Sequence, residues 1–198
     1  MVQKKATEVR RDEIITATLA IIEQKGLEHV SIANIAAAIH LVPSAIYRHY
    51  SGKEEIIDSL IDFVDKALQD NVRYVLATET DAVARLHLLL QRHVELVREQ
   101  QAIPRILFSL VSSEKEKNQK QKMYAVIARY LDQVRRIIEQ GSANREIGSV
   151  DATTASILFL GMIQPLAILS RLDDNTLDQY PEKVWDMYLH GICHSEYK

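Results

Sequence analysis

Apolar residues recur along most of this chain at intervals of three and four positions, which is the spacing of an amphipathic α-helix. Glycine and proline are sparse, at six and four residues, and no short β-branched runs are bounded by turn signals. The sequence therefore predicts an all-α protein. The longest periodic series consists of Ile56, Ile57, Leu60, Ile61, Val64, Leu68, Val72 and Val75.

The periodic segments predict nine helices, three in an N-terminal domain of residues 1–53 and six in a body of residues 54–198. The fourth helix begins at the end of the first domain and links the two. The polar stretch 112–122 has no apolar anchor, so we expect its start to be an exposed loop. The approximate helix bounds are 7–25, 31–39, 43–50, 51–77, 82–100, 104–111, 123–140, 150–171 and 181–194.

Residues with capping preferences mark several helix ends. Gly26 stands where a left-handed C-cap would end the first helix, and Ser31 is placed to cap the second. Pro43 fits the first turn of the third helix. Ser51 and Glu54 have the S-x-x-E spacing of a capping box, which predicts reciprocal hydrogen bonds at the start of the fourth helix.

The second and third helices are very short and form a pair whose second member suits insertion into the major groove of DNA. Ile46 and Tyr50 are four residues apart, so we expect them to pack inward together. The outward positions are then Ser44, Ala45 and Arg48. An arginine there can fork onto guanine O6 and N7 or grip a phosphate. On spacing alone, an ordinary three-helix corner with a polar outer face is an equal alternative.

Polar side chains beside this helix suit contacts with phosphate oxygens. Tyr47 and His49 have polar tips, and Lys53 lies in a first helical turn, where free backbone N–H groups also favour an anion. The complete set of candidate DNA-contacting residues is Ser31, Pro43, Ser44, Ala45, Tyr47, Arg48, His49 and Lys53.

Charge is distributed unevenly, although the net charge is only −3. Residues 1–53 carry seven Lys/Arg and five Asp/Glu, a balance of +2, whereas residues 54–198 have a balance of −5. The sign of this asymmetry suits a cationic DNA-reading domain on an acidic body.

The composition favours a cytoplasmic protein. Cys193 is the single cysteine, which excludes an internal disulfide and fits a reducing cytosol, and no signal-peptide core follows the basic start. The most apolar run, 152–169, contains threonine, serine, glutamine and Pro165. Such a run favours a buried or interface helix over a membrane span.

Catalytic signatures such as G-x-S-x-G, Walker A and H-E-x-x-H do not occur in the sequence. We therefore expect neither an enzyme nor a cofactor. His190 and His194 are four residues apart with Cys193 beside them, a spacing that could in principle bind a metal. A polar edge on the final helix is the simpler interpretation, and no metal site is predicted.

Residues 31–56 follow the pattern [ST]-h-x-x-[IL]-A, a turn, and then L-Y-x-[HY]-[FY]-x-x-K-[ED]-x-[IL]. This segment resembles the DNA-binding domain of the TetR family of transcriptional regulators, which implies DNA contact by the residues named above. His40 stands where the family usually has glycine, so we expect a strained left-handed backbone or a different turn geometry there. The matching residues are Ser31, Ile32, Ile35, Ala36, Ile46, Tyr47, His49, Tyr50, Lys53, Glu54 and Ile56.

The resemblance also implies a homodimer joined through the last two long helices, and hence a roughly palindromic double-stranded operator. The last helix has a broad apolar stripe, and the helix before it is apolar on nearly all sides. Burial within the core of one chain is the alternative. The candidate interface residues are Ile157, Leu160, Val184, Trp185, Tyr188, Leu189 and Ile192.

A small-molecule pocket between the middle helices is a further implication of the resemblance. Aromatic and methionine side chains would supply apolar walls, and histidine and glutamine would orient a hydrophobic or amphipathic effector. An ordinary core or surface position is the alternative for each residue. The candidate ligand-binding residues are His87, Gln91, Phe108, Tyr124, Tyr130, Phe159, Met162 and Gln164.

These expectations combine into a ligand-responsive transcriptional regulator, by resemblance more often a repressor than an activator. Its expected partners are operator DNA, a small-molecule effector and a second copy of the chain, without a membrane. A second hypothesis is a helical small-molecule-binding protein whose N-terminal helices dock a protein partner, in which case operator DNA would leave ligand affinity unchanged.

Overall fold

A computed structural model describes residues 2–112 and 116–193, with side chains from residue 10 onward. It confirms the all-α prediction, since the described residues form helices and no strand. A single 3₁₀ turn covers Leu27–His29. The α-helices are α1 (Val2–Lys25), α2 (Ile32–Ala38), α3 (Pro43–Ile46), α4 (Lys53–Thr78), α5 (Ala82–Glu99), α6 (Ala102–Ser112), α7 (Lys117–Ala143), α8 (Ala152–Leu169), α9 (Thr176–Gln179) and α10 (Pro181–Cys193).

Most helix bounds differ from the predicted ones by a few residues, and two differences are larger. The third helix ends at Ile46 and continues only as turns to residue 49, and α9 was not predicted. The exposed loop predicted at the start of the stretch 112–122 falls mostly on residues 113–115, which lie outside the described residues. The next helix, α7, begins at Lys117, six residues before Met123, its first predicted buried residue. Polar side chains anchor this first turn, where Gln119 donates to the Asp58 carboxylate at 3.3 Å and Lys122 to the Asp58 carbonyl at 2.9 Å.

The chain divides into two compact units. The head unit comprises Met1–Asp65 and Gln101–Tyr124, and the body unit comprises Lys66–Gln100 and Ala125–Lys198. These units differ from the predicted division into a DNA-binding domain of residues 1–53 and a body of residues 54–198. That functional division stays a prediction. Helix α6 belongs to the head unit because it packs on α1. At this contact Arg105 donates to the Ile22 carbonyl at 3.0 Å.

Each unit has its own apolar core. In the head, α1 packs against α2 and α6, and α2 packs against α3. In the body, α5 packs against α8 and α10. Fully buried head residues include Ile14, Ile22, Ile35, Ile46, Ile56 and Leu60, and fully buried body residues include Leu86, Leu90, Val134, Ile138 and Phe159.

The turn between α2 and α3 is left-handed at His40, where φ is 55°. The His40 N–H bonds the Ala37 carbonyl at 3.2 Å, and the Leu41 N–H bonds the Ala36 carbonyl at 2.8 Å. These two bonds make a Schellman motif, which normally places glycine at the left-handed position. The first of the two expectations for His40, a strained left-handed backbone, is therefore confirmed, because the motif is regular but carries a side chain.

The end of α7 repeats the same motif around Arg145, where φ is 65°. Its N–H bonds the Ser142 carbonyl at 3.1 Å, and the Glu146 N–H bonds the Gly141 carbonyl at 2.8 Å. The glycine predicted at the end of α1 also has a positive φ, 95° at Gly26, although its ψ of 165° lies outside the left-handed helical region.

We expect His40→Gly to raise the free energy of unfolding by about 1 kcal/mol, because glycine adopts positive φ without the steric cost of a Cβ. Urea denaturation measures the effect. Arg145→Gly should give a similar gain in the body unit. Ala37→Gly, which places glycine at an exposed position inside α2, is the opposite control and should lower stability by about 1 kcal/mol. A loss of stability in His40→Gly would contradict the strain assigned to this turn.

Candidate nucleic-acid interface

The third helix presents the two faces that its spacing predicts. Ile46 and Tyr50 are almost completely buried, at 0% and 2% exposure. Ser44 and Arg48 are exposed on the opposite side, and Ala45 is half-buried between them. The prediction of an inward Ile46–Tyr50 pair is confirmed, and the outward residues remain free to meet a ligand surface.

The residues predicted to contact phosphates surround this helix at different depths. Tyr47 is exposed, whereas His49 is half-buried. The Nδ1 atom of His49 is buried and has no hydrogen-bond partner, which leaves Nε2 as the ring nitrogen for a phosphate. Lys53 is the first residue of α4, beside the free N–H groups of that helix.

Ser31 caps α2 as predicted. Its backbone is extended, and its hydroxyl oxygen accepts a hydrogen bond from the Asn34 N–H at 3.1 Å. Because the oxygen is the acceptor, the hydroxyl proton remains available to donate to a phosphate.

The capping box predicted between Ser51 and Glu54 is wrong in its acidic member. Glu55 accepts from both the Ser51 N–H, at 2.7 Å, and the Ser51 hydroxyl, at 2.9 Å. The helix begins at Lys53, so the third helical position that can reach back is residue 55. These hydrogen bonds from Ser51, followed by that from Arg11, lower the pKa of Glu55.

Two residues beside the third helix were not predicted. Val42 is its N-cap and is 62% exposed, which puts two methyl groups at the N-terminal end of α3, the end that a recognition helix offers to base edges. Arg11, on α1, donates to the His49 carbonyl and to Glu55. Exposed apolar residues at a helix start can be suspected from sequence, but the contacts of Arg11 span 38 and 44 residues and have no local signal.

Several candidate ligand-binding residues of the body unit are already occupied by internal contacts. His87 stacks on Trp185 with ring centres 4.9 Å apart, and its Nε2 lies 2.8 Å from a Glu182 oxygen. Gln91 donates to the other Glu182 oxygen at 3.3 Å. It also lines a groove of about 430 Å³ between α4 and α5, which contains polar Asn71 and several charged residues.

Tyr130 and Phe159 are buried in aromatic packing. The Tyr130 hydroxyl lies 3.0 Å from Nδ1 of His93, and Phe159 meets Tyr188 edge to face. Burial lowers the pKa of His93 to about 4 and raises the pKa of Tyr130. The imidazole is therefore neutral at neutral pH.

The remaining ligand candidates are dispersed. Met162 and Gln164 are half-buried on α8, whereas Phe108 and Tyr124 belong to the head unit and are exposed there. The described contacts do not assemble the eight candidates into one cavity, so the ligand-binding set stays a prediction.

The outer surface of α8 is apolar. Ile157 is exposed, as the interface prediction requires, and Leu160 is half-buried. Neighbouring positions 158, 161, 165, 168 and 169 are also exposed and recur with the spacing of a coiled-coil seam. The exposed set on this face is Ile157, Leu158, Gly161, Pro165, Ile168 and Leu169.

The predicted interface residues of α10 need correction. Trp185, Tyr188 and Ile192 are at most 9% exposed, because they face α5 and α8 of their own chain, and the Tyr188 hydroxyl donates to the Ala155 carbonyl at 3.0 Å. Val184 and Leu189 are half-buried at the edges of the stripe. Met187, at 77% exposure, is the apolar residue that faces outward.

A groove of about 540 Å³ runs between α8 and α10. Leu158 and Met187 line its two sides, and Tyr188 and Ile192 also line it. The glycines at positions 161 and 191 have nothing within 4 Å of a Cβ placed on them. The groove also has polar lining residues, Ser149, Asp151 and Thr154. Leu158 belongs both to the groove and to the exposed row of α8, and we call the two together the α8–α10 face.

Two family profiles match the chain. The profile described as "Bacterial regulatory proteins, tetR family" matches residues 14–60, which contain the helix pair, and "Tetracyclin repressor-like, C-terminal domain" matches residues 79–168. Together they cover well over half of the chain. The protein belongs to the TetR family. It is accordingly a DNA-binding transcriptional regulator, and the resemblance of its N-terminal segment to this family is confirmed.

Similar proteins share this TetR-family architecture. The nucleoid occlusion factor SlmA of Photobacterium profundum is 22% identical over 181 residues, covering 90% of this chain and 91% of that protein. A TetR regulator of Chloroflexus aurantiacus superposes with a TM-score of 0.81 at 19% identity, covering 97% and 98% of the two chains. The regulator FadR of Bacillus subtilis, solved with stearoyl-CoA, gives a TM-score of 0.79 at 21% identity, covering 91% and 98%.

Among the described residues, no group of three His, Cys, Asp or Glu is placed to hold a metal ion, and His194 lies outside the described residues. By length and composition α8 could cross a membrane, a test that the core helices of soluble proteins also pass.

Proposed function

We propose that this TetR-family regulator is a cytoplasmic repressor that binds a two-fold symmetric operator as a homodimer and is released by a hydrophobic or amphipathic small molecule. The outward surface of α3 carries the proposal. The helix carries an exposed hydroxyl and a small side chain, its other face is buried, and the turn that continues it presents the exposed Arg48 on the same side, which suits entry into the major groove.

Base reading is assigned to Ser44, Ala45 and Arg48. Arg48 is the residue that discriminates guanine, since its guanidinium can bond O6 and N7 together. Ala45 and the exposed methyl groups of Val42 suit contact with thymine methyls. Tyr47, His49, Lys53 and Ser31 set the register on the phosphates.

Dimerisation is assigned to the α8–α10 face. A soluble monomer gains nothing from exposing leucine and isoleucine along a whole helix, whereas a two-fold partner would bury the same surface on both copies. Two copies of the head would then address two half-sites of one operator.

The effector is assigned to the body unit, whose aromatic residues suit an apolar or amphipathic molecule. Stearoyl-CoA bound to FadR of Bacillus subtilis has this amphipathic character in a protein of the same fold. Effector binding that favours the DNA-free form would lower operator affinity by thermodynamic linkage. Titrating long-chain acyl-CoA into a protein–operator complex tests this step, and an unchanged operator affinity would contradict it for that ligand class.

We expect Arg48→Ala to lower affinity for the preferred operator at least 10-fold, because one bidentate guanine contact accounts for about 1–3 kcal/mol per half-site. The operator is first selected by the native protein from a random duplex pool. Binding to this duplex and to a scrambled one is then measured across a salt series.

Lys53→Ala is the matched control for Arg48→Ala. It should weaken binding to selected and scrambled duplexes alike and reduce the salt slope, as loss of a phosphate contact does. Native protein without preference for any selected duplex, or equal binding by Arg48→Ala, would contradict the proposed function.

A second function is favoured by the curated relative from Photobacterium profundum, which is a nucleoid occlusion factor. In that case the chain would mark many chromosomal sites rather than control a few promoters. Genome-wide mapping of bound sites distinguishes the two, since a local repressor gives a few promoter sites and a nucleoid factor gives many dispersed ones.

A further inference from the structure

We propose that Arg11 is a positioning residue for the DNA-reading helix and that it acts together with Glu55. The proposal rests on the proposed DNA-reading role of α3. The Nε and Nη2 atoms of Arg11 donate to the His49 carbonyl at 3.1 and 2.7 Å. Nη2 also donates to Oε1 of Glu55 at 2.6 Å, and the guanidinium carbon lies 4.6 Å from the centre of the Tyr50 ring.

The second oxygen of Glu55 extends this link into the next turn. It accepts from the N–H and the hydroxyl of Ser51, at 2.7 and 2.9 Å. One guanidinium and one carboxylate therefore connect α1, the chain that leaves α3 and the start of α4. We call these four residues, Arg11, His49, Ser51 and Glu55, the Arg11 latch.

The third helix needs such a latch because it is only four residues long. A helix of that length has no intrinsic stability. Its hydrogen bonding continues only through the following turn, where the Pro43 carbonyl accepts from the Tyr47 N–H at 3.3 Å and the Ile46 carbonyl from the Tyr50 N–H at 3.1 Å. Ile46 and Tyr50 hold its inner face by burial, but apolar contact is weakly directional. The guanidinium of Arg11 adds two directed hydrogen bonds to the His49 carbonyl, just after the helix ends. These bonds fix the rotation of the helix about its axis, and with it the direction of the outward residues.

Base reading depends on this orientation more than phosphate binding does. Bidentate contacts need their atoms within about 0.5 Å of the productive geometry. Phosphate attraction is long-ranged and tolerates displacement. Loss of the latch should therefore reduce the preference for the selected operator over a scrambled duplex while leaving scrambled binding nearly unchanged.

For the substitution Glu55→Gln, charge alone and the positioning role predict opposite changes in operator affinity. Removing the charge of Glu55 takes one negative charge from the head, which by charge alone strengthens binding to DNA. Positioning predicts the reverse for the operator, because the neutral amide of Glu55→Gln no longer anchors the Arg11 fork with an ion pair. Glu54 is exposed next to it and supplies a matched control with the same charge change.

The experiment compares Glu55→Gln with Glu54→Gln in the full-length protein. Affinity is measured for the operator selected by the native protein and for its scrambled version. We expect Glu55→Gln to lower the operator-to-scrambled ratio at least 10-fold, with scrambled affinity equal or higher. Glu54→Gln should keep the native ratio. Equal ratios in the two variants would overturn the proposal.

A second pair of variants, Arg11→Lys and Arg10→Lys, keeps the test decisive if circular dichroism shows that Glu55→Gln does not fold. Arg11→Lys keeps the charge but not the fork, and Arg10→Lys is its neighbour on α1, whose partner is Glu13. A lower operator-to-scrambled affinity ratio in Arg11→Lys, but not in Arg10→Lys, supports the positioning role of Arg11. An unchanged ratio in Arg11→Lys overturns that role. Native protein that prefers no duplex would instead overturn the proposed function, and the latch proposal with it.

Discussion

Leu158→Glu is expected to leave a folded monomer that binds the operator at least 100-fold more weakly than the native protein. Leu158 is 58% exposed on the α8–α10 face and borders its groove. A two-fold interface would bury two unpaired carboxylates, one from each copy, which costs several kcal/mol. Without a dimer the two heads bind independently, and about 10²–10⁴ of effective affinity is lost.

Sedimentation equilibrium and operator titration measure the two parts of this prediction on the same sample. Leu76→Glu is the control, because Leu76 is 45% exposed on α4 rather than on α8 or α10. It should remain dimeric and bind normally. A dimeric Leu158→Glu protein would show that copies of the chain associate through another surface.

His93→Gln is expected to make stability much less dependent on pH in the acidic range. His93 is buried against Tyr130, and burial lowers its folded-state pKa to about 4. Its ordinary pKa in an unfolded chain is about 6.5. As the pH falls below that value, the unfolded chain takes up a proton that the folded protein refuses, so stability is lost until the pH approaches 4.

The size of this loss follows from the two pKa values. Between pH 7 and pH 5 it amounts to about 2 kcal/mol, and across the whole interval to about 3 kcal/mol. Urea denaturation at several pH values measures it for the native protein, His93→Gln and the control His29→Gln, which removes an exposed imidazole. Parallel curves for the native protein and His93→Gln would show that the buried imidazole is not the titrating group.

Local patterns were sufficient for all the longer helices and for the inner face of the third helix, although they missed the four-residue α9. Ile46 and Tyr50 are four residues apart, and only an inward orientation buries both. The start of α4 was harder, because Glu54 and Glu55 are adjacent and one residue of shift in the helix start decides which of them reaches Ser51.

Apolar stripes on the last two long helices were identified correctly, but the direction of the stripe on α10 was not. Periodicity shows that Trp185 and Tyr188 share a face with Ile192, yet it cannot tell whether the same chain or a partner covers that face. The outward position of Leu158 and Met187 depends on where α5 packs, which is set by contacts distant in sequence.

Long-range polar contacts were beyond sequence reasoning for a similar reason. The spacing between Arg11 and Glu55 has no periodic meaning, and Gln119 meets Asp58 across 61 residues. Only the folded chain brings these groups together.

The latch also bears on how a minimal DNA-binding fragment should be cut. Similarity to the family begins at residue 14, so a fragment designed on that boundary keeps the whole helix pair but omits Arg11. Such a fragment retains the residues proposed to contact DNA and loses the side chain proposed to fix their orientation. A fragment that starts upstream of residue 10 and ends after Glu55 keeps both the helix pair and the Arg11 latch.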